Sequence, residues 1–158
     1  RGLEKAGEFV ITELKKMGWN HNTGNLPSAY LTGLYFGIKN KDAIKSAIID
    51  IGIKSLTKGD KISAAIKGIV DSGLKIPYSD TIFPDEKRIN GTAIAEYAKK
   101  VSSDQTKFGN QFLKYLKNNL EDITKEFEKV KQKIISGKKW ENEKTKGKQK
   151  LEKKKRMK

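Results

Sequence analysis

The chain has 158 residues, no cysteine, and 34 Lys and Arg against 19 Asp and Glu, for a formal net charge of +15 and a pI near 9.8. Without cysteine there is no disulfide framework, thiolate nucleophile or sulfur-ligated metal, and no uninterrupted apolar run approaches the ~20 residues that span a bilayer. The length fits one domain with a core of its own, and the charge draws the chain to polyanions, namely nucleic acid, anionic lipid or acidic glycoprotein.

Leu3, Ala6, Val10, Leu14 and Met17 recur at three- and four-residue steps, which predicts a helix over residues 3–17. Gly18, Asn20, Asn22, Gly24 and Asn25 then supply turn chemistry. Pro27, tolerated in a first turn, opens a second helix over residues 28–38 that carries Tyr30, Leu31, Leu34, Tyr35 and Ile38. Two half-seams follow, one of Ile44, Ile48, Ile51 and Ser55 and one of Ile62, Ile66, Ile69 and Val70. Their phase is kept across Gly59-Asp60. One long helix over residues 41–72 is therefore expected, with a weak point at Gly59 costing about 1 kcal/mol against alanine. Two helices with a tight turn are the alternative.

Residues 73–91 read as irregular, from Pro77, Tyr78, Ser79, Asp80, Pro84, Asp85 and Asn90-Gly91. A helix starts at Thr92 with Ile94, Tyr97, Ala98 and Val101 on one side. The next starts near Thr106 and keeps Phe108, Phe112, Tyr115, Leu116, Ile123, Phe127, Val130 and Ile134 in phase, with Asn119 placed to cap a final helix. Residues 137–158 differ in kind, with eleven Lys or Arg against three Glu, 8 of the 15 net charges. The fold class expected is all-α, an up-and-down bundle of about five helices with a long kinked second helix. The bundle would occupy residues 1–136, and residues 137–158 would be a basic tail, mobile or an extended helix.

Chemistry is sparse. His21 stands alone in an Asn-rich turn and reads as an exposed loop histidine with no base partner. Asp80, Asp85 and Glu86, and separately Glu121 and Asp122, are explained by turns and helix starts. Asn90-Gly91-Thr92 matches a glycosylation acceptor and equally a turn. No metal-ligand spacing, phosphate loop, dinucleotide fingerprint or nucleophile elbow is present. The chain is read as a non-enzyme with no catalytic residue, cofactor, metal or small-molecule substrate. The anion- or membrane-binding candidates are Lys138, Lys139, Trp140, Lys144, Lys146, Lys148, Lys150, Lys153, Lys154, Lys155, Arg156 and Lys158. Tyr30, Leu34, Tyr35 and Phe36, near Lys39 and Lys41, are candidates for an apolar patch against lipid. Nucleic acid is disfavoured as partner, because the tail lacks interleaved aromatics and has one arginine.

Three local stretches resemble the abalone sperm acrosomal protein family, which comprises lysin and its eighteen-kilodalton fusion-associated paralogue. Ile66, Val70, Asp71, Lys75 and Pro77 resemble the end of the family's long second helix and the turn after it. The run from Ala95 through Glu96, Tyr97, Ala98, Lys99 and Lys100 to Val101 is similar to a stretch of lysin, and so is Phe112-Leu113-Lys114. The resemblance covers roughly residues 3–135. It implies a secreted, five-helix, non-enzymatic protein of the sperm acrosomal vesicle, with the paralogue favoured. The start at Arg1 is read as processed or trimmed, so a missing leader does not oppose secretion. The implied function is sperm–egg membrane fusion, by binding and perturbing the anionic egg plasma membrane or an egg-surface glycoprotein. Dissolution of the egg vitelline envelope by glycoprotein binding is the first alternative, and a basic nuclease-type toxin domain the second. The stretch from Lys58 to Ile69 has none of lysin's dimer-face aromatics, so a monomer is expected.

Overall fold

The computed structural model describes residues 12–103 and 123–136. Residues 12–16 are helical and end in a turn at Met17 and Gly18. Helix α1, Leu26–Asn40, starts where the Asn25 side chain accepts a hydrogen bond from the Ser28 amide at 2.9 Å, satisfying one of the donors a helix start leaves free. Pro27 sits in its first turn, where the missing amide costs nothing. Helix α2, Lys61–Asp71, is followed by a single 3-10 turn, Asp80–Ile82, then the short helix α3, Glu86–Ile89, helix α4, Thr92–Ser103, and helix α5, Ile123–Ile135.

Helices α1 and α2 form the most extensive pairing. The two backbones touch because glycines face each other. A Cβ on Gly33 would overlap the Ala65 carbonyl, and one on Gly68 would overlap the Tyr30 carbonyl. Around that pair the core gathers Leu14, Met17 and Trp19 with Leu31 and Leu34 of α1, Ala64 of α2, Ala98 of α4, and Ile123, Phe127, Val130 and Ile134 of α5. In α5 the buried positions recur every three or four residues, the spacing of one helix face.

The long second helix is corrected. Residues 45–60 contain no helix. Gly59 adopts φ +74° and Gly52 φ +59°, left-handed conformations that end a right-handed helix. Asp60 then opens α2 by accepting from the Lys61 amide at 2.6 Å. The helical phase across Gly59 is coincidental, since Ile48 and Ile51 fit a three-residue step while Ala47, Ile49 and Ile51 fit an alternation of two. Ser46 and Lys75 form an isolated parallel bridge, in which the Ala47 amide donates to the Lys75 carbonyl at 3.0 Å. The count of five helices rests partly on residues 3–11 and 106–122, which lie outside the described residues.

Candidate functional site

The predicted apolar patch is corrected first. Tyr30 is 3% exposed and Leu34 2%, and both belong to the core. Tyr35 is half-buried against that core, and Phe36 alone of the four is exposed. An aromatic helix beside lysines reads alike whether it meets lipid or a second helix. Here α2 and α5 cover it. The Tyr30 hydroxyl donates to Asp71 Oδ2 at 2.8 Å. Burial first, and the Asp71 carboxylate second, push the Tyr30 phenol well above its ordinary range. Lys67 pairs with the same Asp71 at 2.8 Å, and Lys131 lies 5.6 Å from the Tyr30 ring centre. These groups, with Glu86 and Glu128, line a cavity of about 180 Å³. It holds cations and carboxylates but no nucleophile, and its bonds tie α1 to α2.

His21 is also corrected. It is 4% exposed, not a surface loop residue. Its ring stands edge-on to Trp19 at 5.4 Å. Nε2 approaches Glu126 Oε2 to 3.3 Å without hydrogen-bond alignment. The Asn20 backbone amide donates to the same Glu126 carboxylate at 3.2 Å. The arrangement pins the turn over residues 18–25 onto α5. Asn90-Gly91-Thr92 is a turn, in which Asn90 Oδ1 accepts from the Thr92 amide at 2.9 Å and its hydroxyl at 2.7 Å. Among the described residues no cluster of His, Asp or Glu is placed to hold a metal.

Several of the described cations are bonded within the chain. Lys16 is neutralised by Glu13 at 2.8 Å and Lys67 by Asp71, and the Lys133 ammonium donates to the Met17 carbonyl at 2.6 Å. These work inside the fold. A second set faces outward where the loop before α2 meets α3. The Gly59 amide donates to the Ile82 carbonyl at 3.0 Å, holding the loop down. A Cβ at Gly59 would stand 2.8 Å from Arg88 Nη1, so glycine leaves room for the guanidinium. Lys58, Lys61, Lys87 and Arg88 are all exposed. Arg88 is the one arginine among the described residues, and a planar fork suits phosphate better than an ammonium does. The sequence pattern hides the approach of Arg88 to this loop, because Gly59 reads there as a flaw in a helix. The Gly-Asp pair ahead of an isoleucine-rich run is the signal for a turn and cap. The tail candidates from Lys138 to Lys158 lie outside the described residues.

The family model for ribosomal large subunit proteins 60S L5 and 50S L18 matches residues 38–79. That span holds the bridge, the loop and α2. The large ribosomal subunit protein uL18 of Methanococcus maripaludis is 44% identical over 141 residues, a match covering 84% of this chain and 73% of that relative. The chain belongs to the uL18 family. It is not an enzyme.

Membership of uL18 overturns the acrosomal resemblance. The stretches that carry it are short runs of common helix residues, whereas the uL18 match runs through most of the chain. Membrane fusion, envelope dissolution and the nuclease-type alternative fall with it. So do the egg membrane and egg glycoprotein as partners, and the secreted, acrosomal destination. The disfavouring of nucleic acid is corrected with them, since it follows only from the tail's lack of interleaved aromatics and its single arginine. Those features bear on base stacking and guanine readout, not on attraction to a phosphate backbone.

Proposed function

We propose that this chain is a structural, RNA-binding component of a large ribosomal subunit. The observation that carries the reading is the 44% identity over 141 residues to a uL18 protein. The net charge of +15 is in keeping with a polyanionic partner. Lys58, Lys61, Lys87 and Arg88 are proposed as one contact with ribosomal RNA backbone. The lysines from Lys138 to Lys158 are proposed as another, on the strength of their charge. RNA binding here is chiefly electrostatic, with phosphates neutralised and counterions released.

The test is binding of large-subunit ribosomal RNA across a salt series, beside an unrelated RNA of equal length. Affinity should fall steeply with salt and favour the ribosomal RNA. Arg88→Ala should weaken binding and lower the slope of log K against log salt by about 0.7–0.9. Arg88→Lys should restore the slope but not the full affinity, since an ammonium has no fork. Equal affinity for both RNAs, together with failure to co-sediment with large subunits, would sink the proposal.

A further inference from the structure

Asn90-Gly91 is the one Asn-Gly pair in the chain. Asparagine is a labile residue, and a following glycine has no side chain to shield its own amide. In an unfolded chain the Gly91 nitrogen can therefore attack the Asn90 side chain at Cγ. A bond forms between that nitrogen and Cγ, and the Cγ–Nδ2 bond breaks. Nδ2 leaves as ammonia with the hydrogen that the Gly91 nitrogen gives up. Water then opens the five-membered imide. Attack at Cγ yields aspartate, and attack at the main-chain carbonyl yields isoaspartate, in which the chain runs through Cγ.

The fold holds the pair away from this chemistry. It lies at the corner between α3 and α4, where Asn90 Oδ1 accepts from the Thr92 amide at 2.9 Å and the Thr92 hydroxyl at 2.7 Å. The Asn90 amide donates to the Glu86 carbonyl at 2.9 Å, and the Gly91 carbonyl accepts from Ile94 and Ala95 at 3.0 Å each. The Asn90–Gly91 peptide is thus gripped from both sides. Ring closure needs the Gly91 nitrogen eclipsed with the Asn90 Cβ about the Cα–C bond, and ψ alone sets that relation. At ψ −6° the two are splayed apart. Turning them into line would swing Gly91 from its seat. That seat is tight, because Gly91 is buried at φ +83° with its Cβ position 3.1 Å from Ile123 of α5 and 3.4 Å from Pro27 of α1. The reaction must wait until the first turn of α4 comes away from α1 and α5.

We propose that Asn90 is a deamidation site closed by the fold, which reacts in chains whose α3–α4 corner has opened and not in the native chain. The two products then differ. Aspartate keeps an acceptor oxygen for the Thr92 cap and adds a negative charge two positions from Arg88. Isoaspartate lengthens the main chain by one carbon and cannot return Gly91 to the gap beside Ile123 and Pro27. A chain that opens and takes this course is barred from re-forming the corner. The proposal rests on neither uL18 membership nor the RNA-binding reading.

The test follows the Asn90 peptide of the 158-residue chain by mass spectrometry, in mildly alkaline buffer with and without denaturing urea. Conversion to aspartate and isoaspartate should be at least ~10-fold slower in the native chain than in urea. Equal rates, or no conversion in urea, overturn the proposal. Thr92→Ala removes one bond to Oδ1 and should speed native conversion about 5-fold, the worth of one hydrogen bond, with the rate in urea unchanged. An unchanged native rate in that variant overturns the closure by the Thr92 cap. Should Thr92→Ala not fold, the unaltered chain is followed at urea concentrations below its unfolding transition. Its conversion rate should climb with urea, as reaction through an opened state requires. A rate independent of urea overturns the proposal.

Discussion

Tyr30 joins two elements through one oxygen. Its hydroxyl is buried between α1 and α2 and donates to Asp71, a carboxylate that Lys67 also holds. Tyr30→Phe keeps the ring contacts and removes the donor. Because Lys67 still pairs with Asp71, and Asp71 is partly exposed, the loss at neutral pH should be about 1 kcal/mol. The pH dependence follows from the raised phenol pKa. The native phenol holds its proton more tightly than the unfolded one, so its stabilising contribution is complete below the unfolded value of about 10 and is lost as pH rises above it. Urea melts should show the gap between wild type and Tyr30→Phe narrowing from pH ~8 to pH ~11. None of this is legible locally. Asp71 lies 41 positions from Tyr30, and Glu126 is more remote still from His21. An aromatic among lysines, or a histidine among asparagines, has no sequence mark that tells core from surface when its partner arrives through the fold.

At the scale of elements, the close approach of α1 to α2 depends on residues that read as uninformative. In the sequence Gly33 and Gly68 lie within expected helices and suggest nothing beyond the absence of a phosphate cradle. Gly33 has no room for a methyl group because the Ala65 backbone occupies it. Gly33→Ala should separate the helices and cost about 1–3 kcal/mol, as overpacking does when backbone must yield. Gly52 is the contrasting case. Nothing lies within 4 Å of its Cβ position, but φ is +59°. Gly52→Ala should therefore cost only the backbone strain, about 1 kcal/mol. Thermal melts of the two variants separate steric from conformational cost. The starts of α1 and α4 are legible because Asn25, Pro27 and Thr92 mark them within the sequence. The segment before α2 is not. Isoleucines at 44, 48, 51, 62 and 66 satisfy helical steps, while the neighbouring Ala47 and Ile49 satisfy strand steps. Periodicity alone cannot arbitrate between them. The left-handed Gly59 and its Asp60 cap decide it.

For the molecule as a whole, charge is the most legible property and the partner class the least. A lysine field attracts lipid head groups, acidic glycans and RNA phosphates by the same Coulombic law, so the sign of the field does not select among them. The selection comes from identity along the chain, which no single motif displays. Charge still makes a quantitative prediction. Ending the chain at Ser136 removes eleven cations and three acids, so the formal net charge falls from +15 to +7. If the lysines from Lys138 to Lys158 neutralise phosphates, the shortened chain should bind ribosomal and unrelated RNA more weakly by a similar factor. Its salt slope should shrink by about 0.7–0.9 for each phosphate it no longer neutralises. If the two sets of cations contribute independently, Arg88→Ala should lower the slope by the equivalent of a single phosphate in either background. An unchanged slope after shortening would place the phosphate-binding cations on the folded surface around Gly59, and Arg88→Ala would then carry a larger share of the salt dependence.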